Sequence, residues 1–185
     1  MDIGLYIAEL TECFMGAAAR GWNCGGSGGE ALSRFFAEAV SGGANGAMAG
    51  YASAPAWDQA GRPNWIDTDQ GTDQDYPSIG CGMVYLSWMS GERGFPTDAI
   101  TQAGGATLAE NYKTLTGKDT AWADFSAAVA GVAITNDDPF GSAQPAPQPQ
   151  PEPTPQPQPA PNPAGWSKAD VIGALTALVN ASSLP

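Results

Sequence analysis

The chain contains no histidine. That absence removes imidazole acid–base catalysis, the Ser/His/Asp triad and the usual imidazole-ligated zinc centre. Basic residues are scarce as well. Seven Lys and Arg stand against nineteen Asp and Glu, for a formal net charge of −12. A field of that sign repels phosphate backbones and anionic bilayers, so neither nucleic acid nor a membrane surface is an expected partner. The three cysteines, Cys13, Cys24 and Cys81, are too few and too dispersed for a zinc ribbon or a disulfide-stapled miniprotein. One bridge is open to them, Cys13 to Cys24, if the chain turns back between residues 16 and 23; three small unbridged residues are the alternative. No run approaches the ~20 apolar residues of a membrane span. No basic n-region marks a signal peptide at the start.

What is present is enough apolar residue for a core: 43% of 185 residues are hydrophobic, room for one domain and an appendage. Ile3, Ile7, Leu10, Phe14 and Ala17 recur at spacings of three and four. They predict an amphipathic helix over residues 2–20 with those side chains inward. The loop "GWNCGGSGG" ends it, and a second helix is expected from Gly29 or Glu30 to Ser41, burying Leu32, Phe35, Phe36 and Val40. A short turn of helix follows at Gly46 to Tyr51, then a polar loop over residues 58–75.

Pro77 opens the third long helix, "PSIGCGMVYLSWMSGE", with Asp75 or Ser78 to cap it. Ile79, Met83, Val84, Leu86, Trp88 and Met89 cover it nearly all round, which predicts a helix in the middle of the domain. Shorter helices are expected at 96–103, 107–116 and 120–132. No segment alternates with period two. The expected fold is all-α, a compact multi-helix domain over residues 1–140.

Residues 141–164 form a proline-rich linker in which "QPAPQPQPEPTPQPQPAPNP" places proline at nearly every second position. That composition predicts polyproline II at ~3.1 Å per residue, a spacer of roughly 60 Å. Residues 165–185 read as a C-terminal amphipathic helix, with Trp166, Val171, Ile172, Leu175, Leu178 and Val179 as its apolar side. So short a helix makes no core alone, so it is expected to dock on its own domain, on another copy of the chain or on a protein partner, with another chain preferred to its own.

Three carboxylates stand out inside helical segments. Glu9 and Glu12 lie three apart and share a face, and Glu30 opens the next helix, where the helix N-terminus favours negative charge. They read either as solvated first-turn and surface charges or as three walls of one cleft.

The order of "AELTE" helix, glycine-rich loop, "GGEALSRFFAE" and "DYPSIGCGMVYLSWM" resembles bacterial secreted domains of unassigned function. More distantly it is similar to the core of plant basic secretory proteins, which resemble gluzincin metallopeptidases. In that pattern the two zinc-binding histidines fall at Ala8 and Glu12, the catalytic glutamate at Glu9 and the third ligand near Glu30. The resemblance thus implies a metallopeptidase-like core that has lost its histidines. No zinc is expected, since alanine supplies no ligand and the site is left without nitrogen or sulfur. The β-sheet that precedes the helix in that family has no counterpart here.

"DTDQGTDQD" places Asp67, Asp69, Asp73 and Asp75 around Gly71. Calcium takes six to eight oxygens from such loops, but the glycine falls one position early for an EF-hand and no glutamate holds the twelfth place. An irregular calcium site and a hydrated acidic loop are the two readings, the second preferred. Trp57, Trp65 and Tyr76, with Tyr51, flank the loop and suit stacking on a carbohydrate face, or else close over a helical core.

The function these features point to is a non-catalytic extracellular or cell-surface binding and assembly module, a helical head on a proline-rich stalk. A carboxylate-based hydrolase using Glu9, Glu12 and Glu30 is the alternative.

Overall fold

The computed structural model describes residues 3–141. The expected tail helix with Trp166, Val171, Ile172, Leu175, Leu178 and Val179, and the proline-rich run, lie outside the described residues. Seven α-helices build the head: α1 (Ile3–Ala18), α2 (Ser27–Ser41), α3 (Ala54–Gln59), α4 (Tyr76–Ser87), α5 (Thr97–Ala103), α6 (Leu108–Thr116) and α7 (Ala121–Val129). Two 3-10 turns, Gly43–Asn45 and Ala47–Tyr51, join α2 to α3, and a π turn, Trp88–Glu92, extends α4. No strand occurs among the described residues; Gly26 and Gly71 form one isolated bridge. The fold is all-α.

The helix that is apolar all round takes the centre, with every residue from Ser78 to Ser87 buried. The Asp75 carboxylate accepts from the Ser78 amide at 3.2 Å and caps it, with Pro77 in the first turn where its missing N–H costs nothing. Two glycines let neighbours approach α4. A Cβ on Gly82 would stand 2.5 Å from the Ala31 Cβ on α2, and one on Gly80 would run into the Ser53 carbonyl at the start of α3. Beyond α4 lies an aromatic core. Trp57 stacks on Phe125 with centroids 5.6 Å apart, and Trp88 stacks on Tyr112 at 5.7 Å. The polar atoms taken in with them are satisfied: buried Asn111 donates to the Ile100 and Gly104 carbonyls and accepts from the Tyr85 hydroxyl.

Two expectations are corrected. The inward face of α1 is not Ile3, Leu10 and Phe14, which are exposed; Gly4, Ala8 and Met15 are buried instead. Ala8 meets Ala37 and Met48 in a small cluster of its own, and small side chains let the α1 and α2 backbones close on one another. Periodicity located the apolar stripe of α1, but burial follows the face that fits α2. Val40, near the end of α2, is likewise exposed. The short helix α3 escaped the sequence reading because its cap comes from far away. Buried Asp137 accepts from the Ser53 and Ala54 amides at 2.8 and 2.6 Å.

Candidate functional site

The loop–helix junction that opens α2 sets the site. Gly26 precedes the helix and has no side chain to cap it, so Asp69 reaches across from the polar loop. Its carboxylate accepts from the Gly28 amide at 2.9 Å and the Ser27 hydroxyl at 3.2 Å. The loop is stitched on by backbone bonds from Ser27 to Gln70 and from Thr72 to Gly25. Glu30 therefore stands in the first turn of α2 with Asp73 carried alongside, and Arg34 follows one turn later.

Against this edge lies α1, which brings exposed Leu5 and Glu9 and half-buried Glu12 to the same opening. Between the two helices opens a cleft of about 720 Å³. Glu9, Glu12 and Glu30 all line it, together with Ser33, Arg34 and Asp73. Tyr51, from the 3-10 turn, and Tyr76, at the start of α4, add aromatic rings that remain more than a third exposed. Cys24 also reaches the cleft; Cys13, Cys24 and Cys81 are all free thiols.

The electrostatics are lopsided. Arg34 is the one basic residue among the described cleft-lining residues. Its guanidinium donates to the Tyr51 carbonyl at 3.1 Å, stands 5.3 Å over the Tyr76 ring and lies 4.0 Å from the Glu30 carboxylate. Glu30 is 8% exposed. Burial, reinforced by the charge of Glu12 and opposed by Arg34, pushes its carboxyl up to about 7. Glu12 is raised too, first by burial and then by Glu9 and Asp73, against a hydrogen bond from Ser33 that lowers it. The Ser33 hydroxyl also lies 3.0 Å from the Glu30 carbonyl oxygen, so its single proton serves one acceptor at a time.

The remaining candidates fall elsewhere. Trp57 is fully buried in the aromatic core and its indole N–H donates to the Pro63 carbonyl, so it offers no face to a sugar; the sugar-stacking reading is corrected for Trp57, and closure over the helical core holds. Trp65 packs against the same core with its indole nitrogen buried. Of the three aromatics only Tyr76 belongs to the cleft.

The aspartates are parted by their roles. Asp67 accepts from the Asn64 amide at 2.7 Å, Asp69 caps α2, Asp75 caps α4 and Asp73 faces the cleft. Among the described residues no three His, Cys, Asp or Glu side chains gather to hold a metal ion. The zinc pattern implied by the resemblance does not fit either, because its first ligand position is the buried methyl group of Ala8.

Arg34 and Ser33 were missed as site residues. The signal was present, since both follow Glu30 at helical spacing and share its side of α2.

No family model, curated protein or solved structure matches this chain.

Proposed function

We propose that the head is a non-catalytic binding module whose ligand occupies the cleft between α1 and α2. The observation that carries this reading is the convergence of Glu9, Glu12 and Glu30, from two helices, on one open cavity that also holds Arg34 and two exposed tyrosine rings. Concave sites with a few convergent polar groups are the usual places for small ligands. The proline-alternating run and the lysine-poor, acidic composition favour a stalked head outside the cell or on its surface, with the apolar-patterned C-terminal sequence engaging a protein partner. The α1–α2 unit is then a metallopeptidase-like core turned to binding.

The test is an NMR titration of the full chain with a panel of small neutral polyols, carboxylates, and ammonium and guanidinium compounds. The reading expects at least one class to shift the amides of Glu9, Glu12, Ser33, Arg34 and Tyr76 together and to saturate. A panel that leaves all five unmoved overturns it.

One observation favours the hydrolase as a second reading. With its carboxyl up at about 7, Glu30 keeps a proton near neutral pH that an ordinary carboxylate has lost, and other carboxylates share its cleft. Glycoside cleavage needs such an acid opposite a carboxylate. Turnover of a chromogenic glycoside or peptide that disappears in Glu30→Gln would establish it; none above background rejects it.

A further inference from the structure

The cleft is short of hydrogen-bond donors where it is richest in acceptors. Glu30 is more than nine-tenths buried and lines the cavity, yet among the described residues no hydrogen-bond donor reaches its carboxyl group; its one charged neighbour, Arg34, stops at 4.0 Å. A largely buried carboxylate whose only donors come from the water of an open cleft is costly to ionise, and a ligand that brings donors lowers that cost. The titratable and charged groups facing Glu30 are Glu9 and Glu12 from α1, Cys24 from the loop before α2, Arg34 from its own helix, Asp73 from the polar loop, and Tyr51 and Tyr76 at the edge. Four acids against one base leave the cavity anionic, which disfavours carboxylate, sulfate or phosphate ligands.

Arg34 also shows what this environment accepts. It sets a planar cation between a carboxylate and the face of Tyr76, and donates its N–H to a carbonyl. Glu9 and Glu12 on the α1 wall, and Asp73 on the loop beside Glu30, have no ion-pair partner among the described residues. Resting on the binding reading above, we infer that the ligand of this cleft is an organic cation, a primary alkylammonium seated between Glu30 and the α1 carboxylates with its carbon chain toward the tyrosine rings. An ammonium supplies three donors and one positive charge: Glu30 lacks the donors, and Glu9 and Glu12 lack a cation. Two sources carry the group, a lysine side chain of a peptide and an amino sugar.

Because burial raises the affinity of Glu30 for a proton, the ammonium competes with that proton. Binding should strengthen as pH rises, by about thirtyfold between pH 5.5 and 8, and release protons as it does so. The experiment titrates the full chain with n-butylammonium, with n-butanol as the neutral shape control, at both pH values. The amides of Glu30, Ser33 and Tyr76 report binding.

The inference expects saturable shifts with the ammonium, none with the alcohol, the stated pH dependence, and loss of both affinity and pH dependence in Glu30→Gln. Glu12→Gln serves as the second variant, and is expected to weaken binding several-fold, should the first not fold. Nα-acetyl-lysine methylamide, its side-chain ammonium free, and glucosamine, compared at pH 8, separate the two sources by which binds more tightly.

Equal binding of butanol and butylammonium, or ammonium binding indifferent to pH and to both substitutions, overturns the inference. If a polyol or carboxylate fills the cleft and butylammonium does not, the cation fails and the binding reading stands. If nothing shifts the cleft, both fail.

Discussion

Glu38 sits two turns beyond Glu30 on α2 and faces the opposite problem, a partner of its own sign. It is buried against Asp137, the residue that caps α3, with Asp138 close by. Burial, then the charges of Asp137 and Asp138, push its carboxyl up to about 8, and it shares a hydrogen bond with Asp137. Asp137 is itself raised by burial, against the Ala54 and Ser53 amides that lower it. One proton between two buried carboxyls is the economical arrangement.

An acid raised in the folded state stabilises fully below its unfolded value, and that contribution is lost as pH rises through its folded value. Glu38→Gln keeps a donor for Asp137 without the charge. It should leave stability near pH 5 little changed and recover roughly 2–4 kcal/mol at pH 8.5, read by urea melts at both pH values. Equal effects at both would show that the proton is not shared. Neither Glu38 nor Asp137 was legible as a pair: they are 99 positions apart in the numbering, and no local spacing announces a contact of that range. Glu9, Glu12 and Glu30 were legible as a set because helical spacing and one short loop confine them.

At the scale of elements, glycine decides where helices meet. Gly82 lies at the crossing of α4 and α2, and its substitution by alanine puts a methyl group 2.5 Å from the Ala31 Cβ. Overpacking of that kind costs about 1–3 kcal/mol. Gly16, in the last turns of α1, has nothing near its added Cβ. Gly16→Ala should therefore stabilise by up to about 1 kcal/mol through helix propensity alone. Thermal melts of the two variants should move in opposite directions.

The orientation of α1 is tested the same way. Phe14 is 65% exposed and Leu32 is 1% exposed, although the sequence presents both as inward positions of amphipathic helices. Phe14→Ser should cost less than about 0.5 kcal/mol, against about 2–5 kcal/mol for Leu32→Ala. The longer helices followed from apolar spacing and from caps such as Thr107, which accepts from the Glu110 amide at 3.2 Å, while α3 did not. Which side of α1 turns inward did not, because Gly4 and Ala8 win by allowing close approach rather than by being hydrophobic.

At the scale of the whole molecule, the acidic excess and the raised carboxyls of Glu30 and Glu38 act in one direction. Both Glu30 and Glu38 bind a proton more tightly folded than unfolded, so each loses stabilising effect as pH climbs through about 7 and about 8. A net charge of −12 adds self-repulsion over the same range. The full chain should melt at a higher temperature at pH 5 than at pH 8, by calorimetry. The central claim is that two helices and a loop, separated in sequence, close on Glu30 and make one anionic cleft. A carbon-detected NMR titration of the Glu30 carboxyl tests it most directly. The account predicts a midpoint near 7 that falls when Glu12 is replaced by Gln; a midpoint in the ordinary range of a solvated glutamate, indifferent to Glu12, would contradict it.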